Sequence, residues 1–227
     1  YRTINGIPQY LTDIINPDQK YSAADFVHDA NIKIDEIINK GKLPVIAGGT
    51  GLYIKSLLYG LDEMPPADEN LRKTLSQKTK QELYEALLKL DKDSAIKNKD
   101  NPQRLLRALE VNILSGVPMS RHFKPKTPKF DFKHINLKVE NAVLYPIINE
   151  RCRYMLESGM IEETQKVLAM GYKKDCPALS GIGYKTIIQY LENQISKAEL
   201  LNLFCADTRH YAKRQNTWFR KVGSNRQ

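Results

Sequence analysis

Three groups of residues have types and spacings suited to holding an anion. Gly48-Gly-Thr-Gly51 stands where a short apolar run gives way to a helical pattern. A glycine-rich turn opening a helix leaves backbone N–H groups unblocked at the positive end of the helix dipole. Glycine at such a corner can also be required by shape alone, so the turn admits both readings. Arg104 and Arg107 are three apart in an otherwise apolar segment. That spacing can clamp a phosphate, or it can make ion pairs with Glu110 or Asp100. Thirdly, residues 201–227 carry Arg209, Lys213, Arg214, Arg220, Lys221 and Arg226 against Asp207 alone. A concentrated basic stretch is either the footprint of a polyanion or a solvated face.

Other chemistries are missing from the sequence. It contains no Gly-x-x-x-x-Gly-Lys-Ser/Thr, no His-Glu-x-x-His and no Gly-x-Ser-x-Gly. His28, His122, His134 and His210 lack metal-ligand spacing, and hydrogen-bonded or solvated roles suit them. Cys152, Cys176 and Cys205 are an odd number without a Cys-x-x-Cys pair, which favours buried, reduced thiols in a cytosolic protein.

Helices and strands must position these groups. Ser22 with Asp25 makes a capping box for a helix whose apolar residues run from Phe26 to Ile38, with Gly41 as terminator. Lys42–Ala47 reads as a short buried strand and 52–58 as the helix that follows the glycine turn. Polar helices cover 68–90, and Asn101 with Pro102 opens another, in which Leu105, Leu106, Leu109 and Ile113 lie opposite the two arginines. Pro118–Pro128 is a basic, proline-containing linker, and Lys133–Val139 alternates as a strand. A helix is expected over 146–169, a second glycine-rich helix entry at Ser180–Lys185, and a last helix over 197–221. In that last helix Phe204, Tyr211, Gln215 and Trp218 line one side, with Cys205, Ala212 and Phe219 alongside. Arg209, Lys213 and Arg220 face the other way.

The 227 residues carry a formal charge of +9, with 41% hydrophobic and 27% charged residues, which suits a folded protein with a genuine core. No run reaches the length of a membrane-spanning helix, and Tyr1-Arg2-Thr3 has no signal-peptide pattern. A second basic run, Arg121, Lys124, Lys126, Lys129 and Lys133, is opposed only by Asp131. The residues by themselves indicate an α/β protein with anion-friendly turns that binds RNA.

Five segments go further: Tyr21-Ser-Ala-Ala-Asp-Phe26, Gly41-Lys-Leu-Pro-Val-Ile-Ala-Gly-Gly-Thr-Gly-Leu-Tyr53, Asn101-Pro-Gln-Arg-Leu-Leu-Arg-Ala-Leu-Glu110, Gly181-Ile-Gly-Tyr-Lys185 and Ala212-Lys-Arg-Gln-Asn-Thr-Trp-Phe-Arg220. In this order and spacing they resemble the bacterial tRNA dimethylallyltransferases, across essentially the whole chain. These enzymes transfer an isoprenoid group to the exocyclic amine of the adenine just 3′ of the anticodon. The resemblance implies an α/β, P-loop-kinase-like three-layer core with a parallel sheet, over 1–62 and 126–227 with C-terminal tRNA-binding helices, and a helical insertion over 63–125. It also implies magnesium, dimethylallyl diphosphate as donor, the tRNA anticodon stem-loop as partner, and a cytoplasmic monomer without membrane contact.

Carried over residue by residue, Thr50 and Arg151 match catalytic positions. Arg151 would hold the diphosphate, and Thr50 would also touch the tRNA. Further tRNA contacts are implied for Arg72; for Gln103, Arg104 and Arg107; for Gly181, Gly183, Tyr184 and Lys185; and for Lys213, Arg214, Gln215, Trp218 and Arg220. The family begins with a P-loop and an Asp-Ser motif whose Asp acts as general base, followed by Val-Tyr-Arg. Here the sequence starts at Tyr1-Arg2, with only Thr3-Ile-Asn5 before Gly6-Ile-Pro8. The expectation is therefore a piece of a longer protein, inactive alone and without a metal site of its own. Two other classes are weighed beside it: an adenylate isopentenyltransferase or nucleoside-phosphate-kinase-like enzyme, which has no need of the basic tail, and a non-catalytic RNA-binding protein.

Overall fold

The computed structural model describes residues 2–124 and 126–223, with side chains up to Arg220. Tyr1, Pro125, the side chain of Lys221, and Arg226 lie outside the described residues. The chain divides into two compact units, Tyr1–Leu58 with Phe130–Gln227, and Tyr59–Lys129.

The first unit opens with a hairpin of β1 (Arg2–Ile4) and β2 (Ile7–Gln9), paired antiparallel with Ile4 opposite Ile7. Asn5 and Gly6 both take positive φ, 50° and 78°, the conformation that a two-residue hairpin turn matching strand twist requires. Helix α1 (Ala23–Asn39) starts as its capping box dictates: Ser22 Oγ accepts from the Ala24 and Asp25 N–H groups, and Asp25 accepts from the Ser22 N–H. Gly41 follows it at φ 67°. Helix α2 (Gly51–Tyr59) seats Leu57 against Ala30 and Ile34 of α1, with Phe130 beside them.

Helix α8 (Asn141–Met155) begins five residues before the expected start at Pro146, which lies inside it. A π-helical turn at Leu156–Met160, with Gly159 at φ 105°, separates α8 from α9 (Ile161–Ala169), so the single helix expected over 146–169 is broken. Helices α10 (Tyr184–Leu191) and α11 (Lys197–Gly223) complete the main core, in which Ile148, Cys152, Leu156, Met160, Ile187, Leu200, Phe204 and Cys205 pack together. All three cysteines are free and buried.

The second unit is helical: α3 (Glu69–Ser76), α4 (Lys80–Leu90), α5 (Lys92–Asn98), α6 (Pro102–Ser115) and the single turn α7 (Met119–His122). The helical stretch expected over 68–90 divides into α3 and α4 where Thr79 and Glu82 form a second capping box that restarts the chain. Leu75, Leu83, Leu87, Ala95, Leu105, Ala108 and Leu109 make its core. Ile113, expected on the apolar side, is exposed.

The parallel sheet is the main expectation not met. Among the described residues β1 and β2 form the only ladder, and neither Lys42–Ala47 nor Lys133–Val139 is a strand. A buried parallel strand exists only with hydrogen-bonding neighbours and covered faces. Without them Leu43, Val45, Ile135 and Leu137 are all more than two-thirds exposed.

At the entrance to α10, Gly183 is buried at φ 95°, and a Cβ there would crowd Phe204 and Met160. Gly183→Ala should therefore cost about 2–4 kcal/mol in urea unfolding, combining backbone strain with overpacking. Gly171→Ala, at φ 88° but facing open space, should show only the backbone part, about 1 kcal/mol.

Candidate functional site

In the first unit the glycine turn is held from two directions. Thr50 starts α2 by accepting from the Tyr53 and Ile54 N–H groups at 3.0 and 3.2 Å. Tyr53 donates its hydroxyl to the Tyr21 carbonyl at 2.9 Å and stacks on Phe26 with ring centroids 5.0 Å apart. Burial, then the charge of Asp25, raises the Tyr53 pKa, so the phenol keeps the proton it donates. From the other direction α11 brings Gln215 and Trp218. A Cβ on Gly49 would overlap the Gln215 amide, and one on Gly51 would overlap the Trp218 indole. Gly51 is buried, Gly49 half-buried and Thr50 exposed, so the turn presents its threonine.

Beyond this contact α11 offers cations. Lys213, Arg214 and Arg220 are exposed, and the Arg214 guanidinium sits 5.6 Å from the Tyr211 ring centroid. Arg209, expected to face outward, instead donates to Asn149 Oδ1 at 2.6 Å and ties α11 to α8. Arg151 is exposed on α8, between Asn149 and buried Cys152.

The second glycine entry is mainly a packing device. Gly181 and Lys185 are exposed, whereas Gly183 is buried against Phe204 and Met160. Tyr184 donates its hydroxyl to Glu163 at 3.0 Å. Burial and then the Glu163 carboxylate push its pKa up to about 12.

In the second unit the arginine pair separates. Arg104 and Gln103 are exposed in the first turn of α6, where Asn101 caps the Arg104 N–H at 3.0 Å. Arg107 turns to Glu110 at 2.5 Å and to the Pro65 carbonyl at 2.8 Å. Arg72 meets the same carboxylate through Nε and Nη2 at 2.8 and 2.9 Å. Glu110 is fully buried and also accepts from the Asp68 N–H at 2.8 Å. The sequence offers Glu110 as an ion-pair partner, but not its burial or the convergence of Arg72 across 38 residues. Burial would raise the Glu110 pKa; hydrogen bonds from Arg72, Arg107 and Asp68 outweigh it and hold the carboxyl below the ordinary glutamate range.

A glycine turn that presents one threonine thus stands beside a helix with exposed cations. The chain belongs to the IPP transferase family, whose profile matches residues 2–222. The tRNA dimethylallyltransferase of Endomicrobium trichonymphae is 66% identical over 219 residues, covering 96% of this chain and 73% of that protein. That of Acetivibrio thermocellus is 42% identical over 226 residues, covering 96% and 72%. Among solved structures, the full-length tRNA isopentenylpyrophosphate transferase of Bacillus halodurans has a TM-score of 0.64 at 35% identity, covering 95% of this chain and 69% of that one. The tRNA delta(2)-isopentenylpyrophosphate transferase of Staphylococcus epidermidis has a TM-score of 0.63 at 33% identity, covering 94% and 72%.

Glu110→Gln should leave two guanidiniums around an uncharged buried group and destabilise the second unit by about 3 kcal/mol at pH 7. Because the folded-state pKa of Glu110 is lowered, its charge stabilises above the unfolded value near about 4.3, and that contribution disappears as pH falls through the folded value. The difference between wild type and variant in urea unfolding should shrink accordingly below about pH 4.

Proposed function

We propose that this protein transfers a dimethylallyl group from dimethylallyl diphosphate to N6 of the adenosine 3′ of the anticodon in tRNA, releasing diphosphate. The observation that carries the reading is the exposed Thr50, held between Gly49 and Gly51 beside the basic half of α11. It is supported by the family membership and by the names of the relatives.

In the transfer, the N6 lone pair forms the new N–C bond, the C–O bond to the diphosphate breaks with its electrons going to the leaving oxygen, and the amine loses a proton. Exposed Arg151 is suited to the charge that grows on the leaving diphosphate. The Thr50 hydroxyl is suited to a base edge once the adenine has left the loop stack. Lys213, Arg214 and Arg220 answer stem phosphates, and Gln103, Arg104 and Lys185 are exposed for further RNA contacts. Arg72 and Arg107 retain exposed surface while bound to Glu110, so in this reading they touch RNA from a fixed, ion-paired position. Among the described residues no three His, Cys, Asp or Glu cluster as a metal cage. The reading keeps the magnesium implied by the resemblance, an ion that such sites hold through one or two carboxylates together with the substrate's phosphates.

The reading includes a P-loop-kinase-like core in which Lys42–Ala47 and Lys133–Val139 become strands of a parallel sheet. Their exposed Leu43, Val45, Ile135 and Leu137 are the residues such a sheet would bury. It also includes a cytoplasmic monomer; among the described residues no helix is long and apolar enough to cross a membrane.

Full-length protein incubated with an anticodon stem-loop RNA and dimethylallyl diphosphate should prenylate one adenine, read by mass spectrometry of the digested RNA. Transfer to free AMP but not to the RNA would overturn the reading. Arg151→Ala should lower the transfer rate at least tenfold with RNA affinity retained. The double variant Lys213→Ala, Arg214→Ala should weaken RNA binding and flatten its log-log salt dependence by roughly one unit for each phosphate left without its cation.

A further inference from the structure

We infer that Gln215 and Trp218 serve the transfer reaction as positioning residues, gripping the 48–51 turn through the space left by two missing Cβ atoms so that the Thr50 hydroxyl is fixed in place. This inference rests on the function proposed above and replaces, for these two residues, the direct tRNA contact that the family resemblance implies.

Gly49 and Gly51 flank Thr50, and each is met by a side chain of α11 where its own Cβ would stand. The turn is not glycine-rich for the sake of backbone angle at these positions, since neither residue has positive φ. Close approach is therefore what requires glycine there. Gln215 and Trp218 lie three apart, on one face of α11. They straddle the turn, one side chain to each glycine.

The burial pattern separates this face from the RNA-facing one. Gln215 and Trp218 are half-buried, while their neighbours Lys213, Arg214, Asn216 and Thr217 are exposed. The Trp218 Nε1–H is buried with no hydrogen-bond partner among the described residues. An indole placed to read RNA would keep its face or its N–H accessible. Here the ring edge is spent against Gly51.

The rest of the turn is anchored through Tyr53, on the Tyr21 carbonyl just before α1 and on Phe26 within it. Thr50 is thus flanked by four contacts, two from α11 and two from residues at and just before the start of α1, none of which uses its own side chain. Fixing a hydrogen-bonding group before substrate arrives contributes to the rate, because a displacement near 1 Å is enough to cost about a hundredfold.

The test uses full-length protein, anticodon stem-loop RNA and dimethylallyl diphosphate. Gly51→Ala and Trp218→Ala should each lower kcat about tenfold to a hundredfold with the RNA dissociation constant and its salt slope unchanged. Trp218→Phe, which keeps a ring against the turn, should stay within about threefold of wild type. The double variant Gly51→Ala, Trp218→Ala should recover about tenfold over Gly51→Ala alone, because the added methyl then enters the vacated space. The Gly49→Ala and Gln215→Ala pair should behave alike. Urea unfolding of each variant, run in parallel, reads the same pairwise coupling without substrate. Loss of RNA affinity in Trp218→Ala with kcat retained would overturn the inference in favour of a direct RNA contact. Additive effects in both kcat and unfolding would show that the two residues do not meet. Wild-type protein that binds the RNA but transfers nothing would refute the proposed function itself, an outcome separate from either.

Discussion

The first unit depends on one close approach: helix α11 comes so near the 48–51 turn that only glycine fits on either side of Thr50. A side chain seated where a Cβ would be is a contact with no slack, since packed interiors do not absorb an extra methyl without moving something. The same helix carries Phe204 into the main core and Arg209 to Asn149 of α8. It is therefore fixed along its length before its basic end is reached. A turn and a row of cations that are far apart in sequence become features of one rigid piece.

The second unit solves a different problem by charge. Glu110 is fully buried and would be costly alone, yet two guanidiniums and a backbone N–H satisfy both its oxygens. Both arginines keep part of their surface in water. The result is a cationic patch whose geometry is set from beneath by the carboxylate, with Gln103 and Arg104 exposed one turn away on the same helix. In the proposed function, an arginine so held gives up side-chain freedom during folding rather than on meeting RNA, which lowers the entropic cost of binding.

Two buried thiols mark the crossing of α8 and α11. Cys205 approaches the Asn149 carbonyl at 3.9 Å, and Cys152 approaches Thr208 at 3.5 Å. Burial and then the neighbouring Cys152 push the Cys205 thiol up in pKa, so it packs there as a small hydrophobe.

Local chemistry was legible in the sequence. The Ser22–Asp25 capping box, the Asn101–Pro102 helix start, the glycine turn before α2 and the aromatic side of the last helix are all set by residues within a few positions of one another. The ordered motifs likewise carried the family. What tertiary structure decided involved partners distant in the chain. Arg72 turns to Glu110, Arg209 turns inward to Asn149, and Gln215 and Trp218 meet glycines more than 160 residues away. The strands expected at Lys42–Ala47 and Lys133–Val139 fail for the same reason. Helices and caps are satisfied by neighbours in sequence, whereas a strand, a buried ion pair or a glycine contact is completed only by a group that the fold must bring to it.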